Sequence, residues 1–219
     1  MKRHTLFAAA AVALLLAFAI GAWLYGQTPT DRAPELAADK RALLERKHAP
    51  TLGRADAPVT IVEFFDPACE TCREFYPFVK KIMADHPGKI RLVVRYAPFH
   101  PGSDKVVAIL EAARQQDKFW PTLEALLASQ ADWSPHHAPQ VDRVWRHLEG
   151  LGLNLAQLRA DMLAPEIDQI IMQDLLDASA LAVTKTPEFF VDGRPLPSFG
   201  YEPLQQSVDQ ALNAAAGRR

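Results

Sequence analysis

The chain reads as an α/β domain interrupted by a helical insertion and preceded by an apolar N-terminal segment. Three observations predict this. Two seven-residue runs of β-branched and aromatic residues flank a single helix near the start of the folded part. About 80 residues with apolar positions at helical spacing follow. A short strand pair and one amphipathic helix then close the chain.

The N-terminus opens on the basic run Met1-Lys2-Arg3-His4, and Leu6 to Tyr25 is a stretch of 20 residues without a charge. That length matches one crossing of a bilayer core. Trp23 and Tyr25 lie at its far end, where aromatic rings favour the membrane–water interface. Ala17-Phe18-Ala19 is a loose signal-peptidase site, but cutting there would leave Ile20 to Tyr25 as an apolar stub. The pattern favours an uncleaved transmembrane helix at residues 6–25, within an anchor or signal segment of 1–26. A cleaved signal is the alternative. In both, the positive end stays in the cytoplasm and the remainder is exported.

Residues 27–56 are polar and alanine-rich and contain Pro29, Pro34 and Pro50, as expected of a spacer. Glu35 to Lys47 could form a short helix with Leu36, Leu43 and Leu44 on one side, which leaves open pairing with a second copy. The folded domain is expected over 57–216, long enough for one sizeable core. Val59 to Phe65 reads as a buried strand, Asp66-Pro67-Ala68 breaks it, and a helix runs from the cysteines to about Asp85. Ile90 to Tyr96 is the second strand, so this is a βαβ unit with parallel strands and a right-handed crossover.

The insertion spans about 103–181 and holds four or five helices, broken near Trp120-Pro121, Ser134-Pro135, Gly150–Gly152 and Pro165. Trp120, Trp133 and Trp145 are expected to pack inside it. Glu188 to Val191 and Arg194 to Ser198 read as a hairpin turning at Asp192-Gly193, followed by a helix from about Glu202 to Ala215. A formal net charge of −2 argues against a nucleic-acid partner.

Chemistry concentrates in Cys69-Glu70-Thr71-Cys72, which holds both cysteines of the chain. A bond between them closes a loop too short to restrain the unfolded chain much, so stability is a poor reason for the pair. A dithiol that opens and closes is a good one. A zinc site would need two more ligands; there is no further cysteine and no His-x3–5-His pair, so no metal is expected. Cys69 sits at the opening of a helix, where free N–H groups and the helix dipole favour thiolate, and is the expected nucleophile. Cys72, one turn further in, is the expected resolving thiol.

Glu63-Phe64-Phe65-Asp66-Pro67-Ala68-Cys69-Glu70-Thr71-Cys72, joined to Thr186-Pro187-Glu188-Phe189-Phe190-Val191-Asp192-Gly193, resembles the DsbA-type thiol–disulfide oxidoreductases of bacterial envelopes. The resemblance implies a thioredoxin fold with the helices inserted between its halves. It implies that Pro187 is a cis-proline beside the cysteines, with Thr186 offering its backbone to a substrate strand. It implies that Glu63 is a buried carboxylate that takes the proton of Cys72. No dissociable cofactor is implied, since the dithiol carries the electrons.

Two departures bear on direction. Strongly oxidising members resembled here carry a histidine between the cysteines, whereas this chain has Glu70-Thr71, with no cation. Losing about two pKa units of thiolate stabilisation would move the pair by roughly 60 mV toward the reducing side. Thr186 before the proline is closer to isomerase-type members. The expected protein is therefore an exported oxidoreductase acting on protein thiols at the periplasmic face of the bacterial inner membrane. It is recharged by a quinone-linked oxidase, or by a DsbD-like reductase if it isomerises or reduces. A periplasmic copper carrier using the two thiolates is the alternative from another class. His48, His100 and the pair His136-His137 read as ordinary loop histidines, although the first two could lie near the site and the last pair could catch a metal.

Overall fold

The computed structural model describes residues 14–20 and 36–217. The chain divides into two units, Met1–Arg32 and Ala33–Arg219. Most of the expected anchor, and of the spacer before residue 36, lies outside the described residues. Within the first unit, residues 14–20 are helical, and Leu14, Leu15, Leu16, Phe18 and Ile20 are exposed. Among the described residues no helix is long and apolar enough to cross a membrane.

The second unit is built on a five-stranded sheet in the order β1-β3-β2-β4-β5. The short helix α1 (Ala38–Arg41) and β1 (Thr51–Leu52) precede β2 (Val59–Phe65), α2 (Glu70–Asp85) and β3 (Ile90–Tyr96). β2 and β3 run parallel, from Val59 opposite Ile90 to Phe65 opposite Tyr96. The crossover through α2 requires this, because a helix must carry the chain back to the same end of the sheet. β4 (Glu188–Val191) runs antiparallel to β2, and β5 (Arg194–Pro195) antiparallel to β4. Their two-residue turn, Asp192-Gly193, has positive φ at both positions, as a hairpin matching the strand twist demands. A Cβ at Gly193 would also meet Arg41 Nε at 2.7 Å.

Strand alternation divides the core. Val59, Ile61 and Phe65 point to one face, against Cys72, Phe75, Tyr76, Val79 and Ile82 of α2 and Leu204 and Val208 of α9 (Tyr201–Ala216). Val62 and Phe64 point to the other, against Val93, Ala178, Leu181, Val183 and Phe190. Because both faces are covered, the strand is an almost unbroken apolar run rather than an alternating one.

Between β3 and β4 the chain runs through α3 (Ser103–Arg114), α4 (Phe119–Ala128), α5 (Gln130–Trp133), α6 (Val141–Val144), α7 (Leu155–Asp161) and α8 (Pro165–Ala180). Trp133 is fully buried here and donates its indole N–H to the Leu126 carbonyl at 2.8 Å. Trp145 lies under the Arg159 guanidinium.

The segment 36–52, read from sequence as part of a spacer, belongs to the folded unit. Leu44 is buried, Thr51 and Leu52 pair with Val93 and Leu92, and Arg46 makes a bidentate pair with Asp177. The fully buried Arg95 binds Asp174 and Asp177 of α8 and donates to the Leu43 and Leu44 carbonyls, so α8, β3 and the segment meet on one charge cluster. His48, 2.6 Å from Asp174, belongs to this cluster on the face opposite α2.

Candidate active site

The site grows out of the end of β2. Asp66 is fully buried, and its Oδ1 accepts the Ala68 N–H at 2.8 Å, which bends the chain into a tight turn. Its Oδ1 also accepts the Ser103 hydroxyl, and its Oδ2 takes both the His100 N–H and His100 Nδ1. The turn delivers Cys69 to the N-cap of α2 in an extended conformation, with φ −75° and ψ 119°. The helical insertion holds the same loop from the other side. Gln130 Nε2 donates to the carbonyls of Pro67 at 2.8 Å and Cys69 at 3.0 Å, and the Ser134 hydroxyl donates to that of Ala68.

Cys69 and Cys72 are both buried and both free thiols. Their environments push them apart. A hydrogen bond from the Cys72 thiol, with donors from Thr186 and from the backbone N–H groups of Cys72 and Thr71, outweighs burial and brings Cys69 down to about 5. Burial first, then the neighbouring Cys69 and Glu63, drives Cys72 well above an ordinary thiol. At neutral pH Cys69 is thus a thiolate and Cys72 a thiol that donates to it. No cation lies between the cysteines, and what lowers Cys69 here is the Cys72 thiol, with Thr186 and the opening N–H groups of α2.

Glu63 faces α2, on the same side of β2 as Val59, Ile61 and Phe65, and is 1% exposed. Its Oε1 has no hydrogen-bond partner. Burial, reinforced by the charge on Cys69, raises its carboxyl to about 8, so it carries a proton at pH 7. Thr186 comes to the cysteines from the start of the β4 hairpin: its carbonyl oxygen lies 3.2 Å from Cys69 Sγ, and the Thr186–Pro187 peptide bond is cis. Beside this loop Lys185 covers the Phe199 ring, and Phe75 of α2 stacks on Tyr201 at 4.2 Å. Phe199 and Tyr201 are both exposed.

The structure therefore brings together Glu63, Cys69, Cys72, Thr186 and Pro187 and places Glu70 and Thr71 in the first turn of α2. His100 lies in the loop network through Asp66, and His137 stacks on it at 4.7 Å. Among the described residues no group of three or more His, Cys, Asp or Glu is placed to hold a metal ion. Sequence reasoning missed Asp66, Ser103, Gln130 and Ser134. Asp66 carried a signal, the Asp-Pro break before the cysteines; the other three carried none.

A family model described as Thioredoxin matches residues 45–210. A thioredoxin-like oxidoreductase from Silicibacter pomeroyi DSS-3 is 33% identical, with 81% of this chain and 99% of that one covered at a TM-score of 0.68. DsbA1 from Wolbachia pipientis is 18% identical, with 83% and 99% covered at a TM-score of 0.70, a likeness of fold. The Na(+)/H(+) antiporter NhaA of Herminiimonas arsenicoxydans is 31% identical over 189 residues, covering 84% of this chain but 29% of that protein. The chain thus spans less than a third of that relative's length.

Proposed function

The chain belongs to the thioredoxin family, and we propose that it is a DsbA-like thiol–disulfide oxidoreductase that oxidises the thiols of exported proteins. The observation that carries this direction is the separation of the two thiols, Cys69 at about 5 and Cys72 far above. A thiolate held that low stabilises the reduced form. At pH 7 two of the shifted units count, about 2.7 kcal/mol or about 60 mV toward the oxidising side.

The cycle balances within the site. A substrate thiolate attacks Cys69 Sγ of the Cys69–Cys72 disulfide, forming a mixed disulfide and releasing Cys72 as thiolate. Cys72 takes the proton that Glu63 holds at neutral pH. A second substrate thiolate then attacks the substrate sulfur of the mixed disulfide. It forms the substrate disulfide and expels Cys69 as its stabilised thiolate. Two electrons have moved from substrate to the dithiol, and a membrane partner removes them: a quinone-linked oxidase in this direction, a DsbD-like reductant in the opposite one. Thr186-Pro187 presents main-chain groups for pairing with an extended substrate segment, and the exposed Phe199 and Tyr201 supply sequence-tolerant apolar contact. The basic start and the apolar run to Tyr25 support export, to the periplasmic face of an inner membrane, with residues 6–25 in the bilayer.

Ion transport is no part of this proposal, because the antiporter name describes a protein of which this chain matches 29%. Equilibrating the pair against glutathione tests the direction. A potential near those of strong oxidants is expected. A thioredoxin-like potential would move the protein to the isomerase or reductase role. Stoichiometric copper on the reduced protein without thiol-exchange activity would make it a metal carrier.

A further inference from the structure

We propose that Gln130, on the inserted helical domain, is a positioning residue for the nucleophile: its side-chain amide holds the Pro67 and Cys69 carbonyls and thereby sets how strongly Cys69 is held as thiolate. Gln130 is fully buried, and both hydrogen bonds of its Nε2, at 2.8 and 3.0 Å, go to the loop that bears Cys69. Its Oε1 is buried and has no partner. The amide orientation is unambiguous, since the flipped form would set an oxygen against two carbonyl oxygens. A side chain selected for core packing alone would be apolar here, because an unpaired buried acceptor is a cost. The arrangement satisfies the loop and leaves the glutamine itself unsatisfied.

The consequence follows from where the two carbonyls lie. Cys69 is the N-cap of α2, and its thiolate is supported by the N–H groups of Thr71 and Cys72 only while the loop keeps its extended-to-helical turn. Gln130 clamps that turn at its first and third residues, and its N–H dipoles place their positive ends beside the sulfur's own backbone. The insertion therefore reaches the reacting centre through one amide, without touching the sulfur. This rests on Cys69 being the nucleophile of the proposed function.

Thiolate absorbance of the reduced protein, followed against pH, tests the assignment. Gln130→Met keeps the length and removes both donors; Gln130→Glu keeps the shape and turns an oxygen toward the carbonyls. The Cys69 midpoint is expected to rise about threefold in proton affinity in the Met variant and about tenfold in the Glu variant. The equilibrium with glutathione should shift by the same factors toward the oxidised protein. Leu126→Ala, a core truncation in the same helical domain, should lower the melting temperature and leave the Cys69 midpoint unmoved. A midpoint unchanged from wild type in a folded Met or Glu variant overturns the proposal, as does an equal rise in the Leu126 variant. A wild-type Cys69 that titrates like a free thiol overturns the functional reading instead.

Discussion

Each residue of the site works through what its neighbours do to its proton. Cys69 is stabilised as thiolate and Cys72 as thiol, so the two should fail differently. Cys69→Ser is expected to abolish exchange, whereas Cys72→Ser should accumulate mixed disulfides on Cys69, visible as thiol-sensitive adducts on non-reducing gels. An absence of adducts in the second variant would remove Cys72 from the resolving role. Glu63→Gln keeps the volume and removes the proton donor, so turnover should fall by about 10- to 100-fold. The same variant should be more stable. Native Glu63 keeps its proton up to about 8, whereas the unfolded chain releases it near 4.5, so wild-type stability falls as pH rises between those values. Denaturant melts should show the Gln variant ahead by about 2–4 kcal/mol at pH 8, with the gap closing toward pH 4.5. Equal stabilities across that range would mean that the carboxylate is solvated.

Among the elements, β2 and α2 were legible because they are long and locally consistent. A seven-residue strand with six residues buried and a 16-residue amphipathic helix carry their periodicity in the sequence. The segment 36–52 was not, since its strand is two residues long and its anchors are Asp174 and Asp177, more than 120 positions away. That places the N-terminal part of the domain under the control of one buried cation. Arg95→Leu leaves Asp174 and Asp177 short of a partner and should cost about 3–5 kcal/mol. It should also open the chain to trypsin at Lys40, Arg41, Arg46 and Lys47 before the rest of the domain is cut. A digestion pattern identical to wild type would show that apolar packing around Leu44 holds the segment by itself.

For the molecule as a whole, the site ties redox state to stability. The Cys69 thiol, about 5 in the folded reduced protein, would titrate near 9.0 unfolded. This contribution is complete above pH 9, is about 3 kcal/mol at pH 7, and is lost as pH falls through 5. The oxidised protein lacks it, and the burial of Glu63 is common to both forms. Reduced protein should therefore melt about 5–10 °C above oxidised protein at pH 7, with the difference shrinking toward pH 5. An oxidised form that melts higher at neutral pH would reverse the direction of electron flow proposed above.

By itself the sequence determined the βαβ unit, the dithiol at the head of its helix and the Asp192-Gly193 hairpin. These are local patterns, written in residues adjacent along the chain. Only the tertiary structure decided the rest. It folded 36–52 into the domain, set Gln130 and Asp66 around the nucleophile, and gave Cys69 a low pKa without a cation between the cysteines. The Cys69 shift rests first on Cys72, one helical turn away; the other two share a physical reason of their own. Buried hydrogen bonds and charge pairs are made between groups 30 to 130 positions apart, here His100 with Asp66, Gln130 with Cys69 and Arg46 with Asp177. Spacing along the chain carries no trace of such a pair until folding removes the water that would otherwise satisfy it.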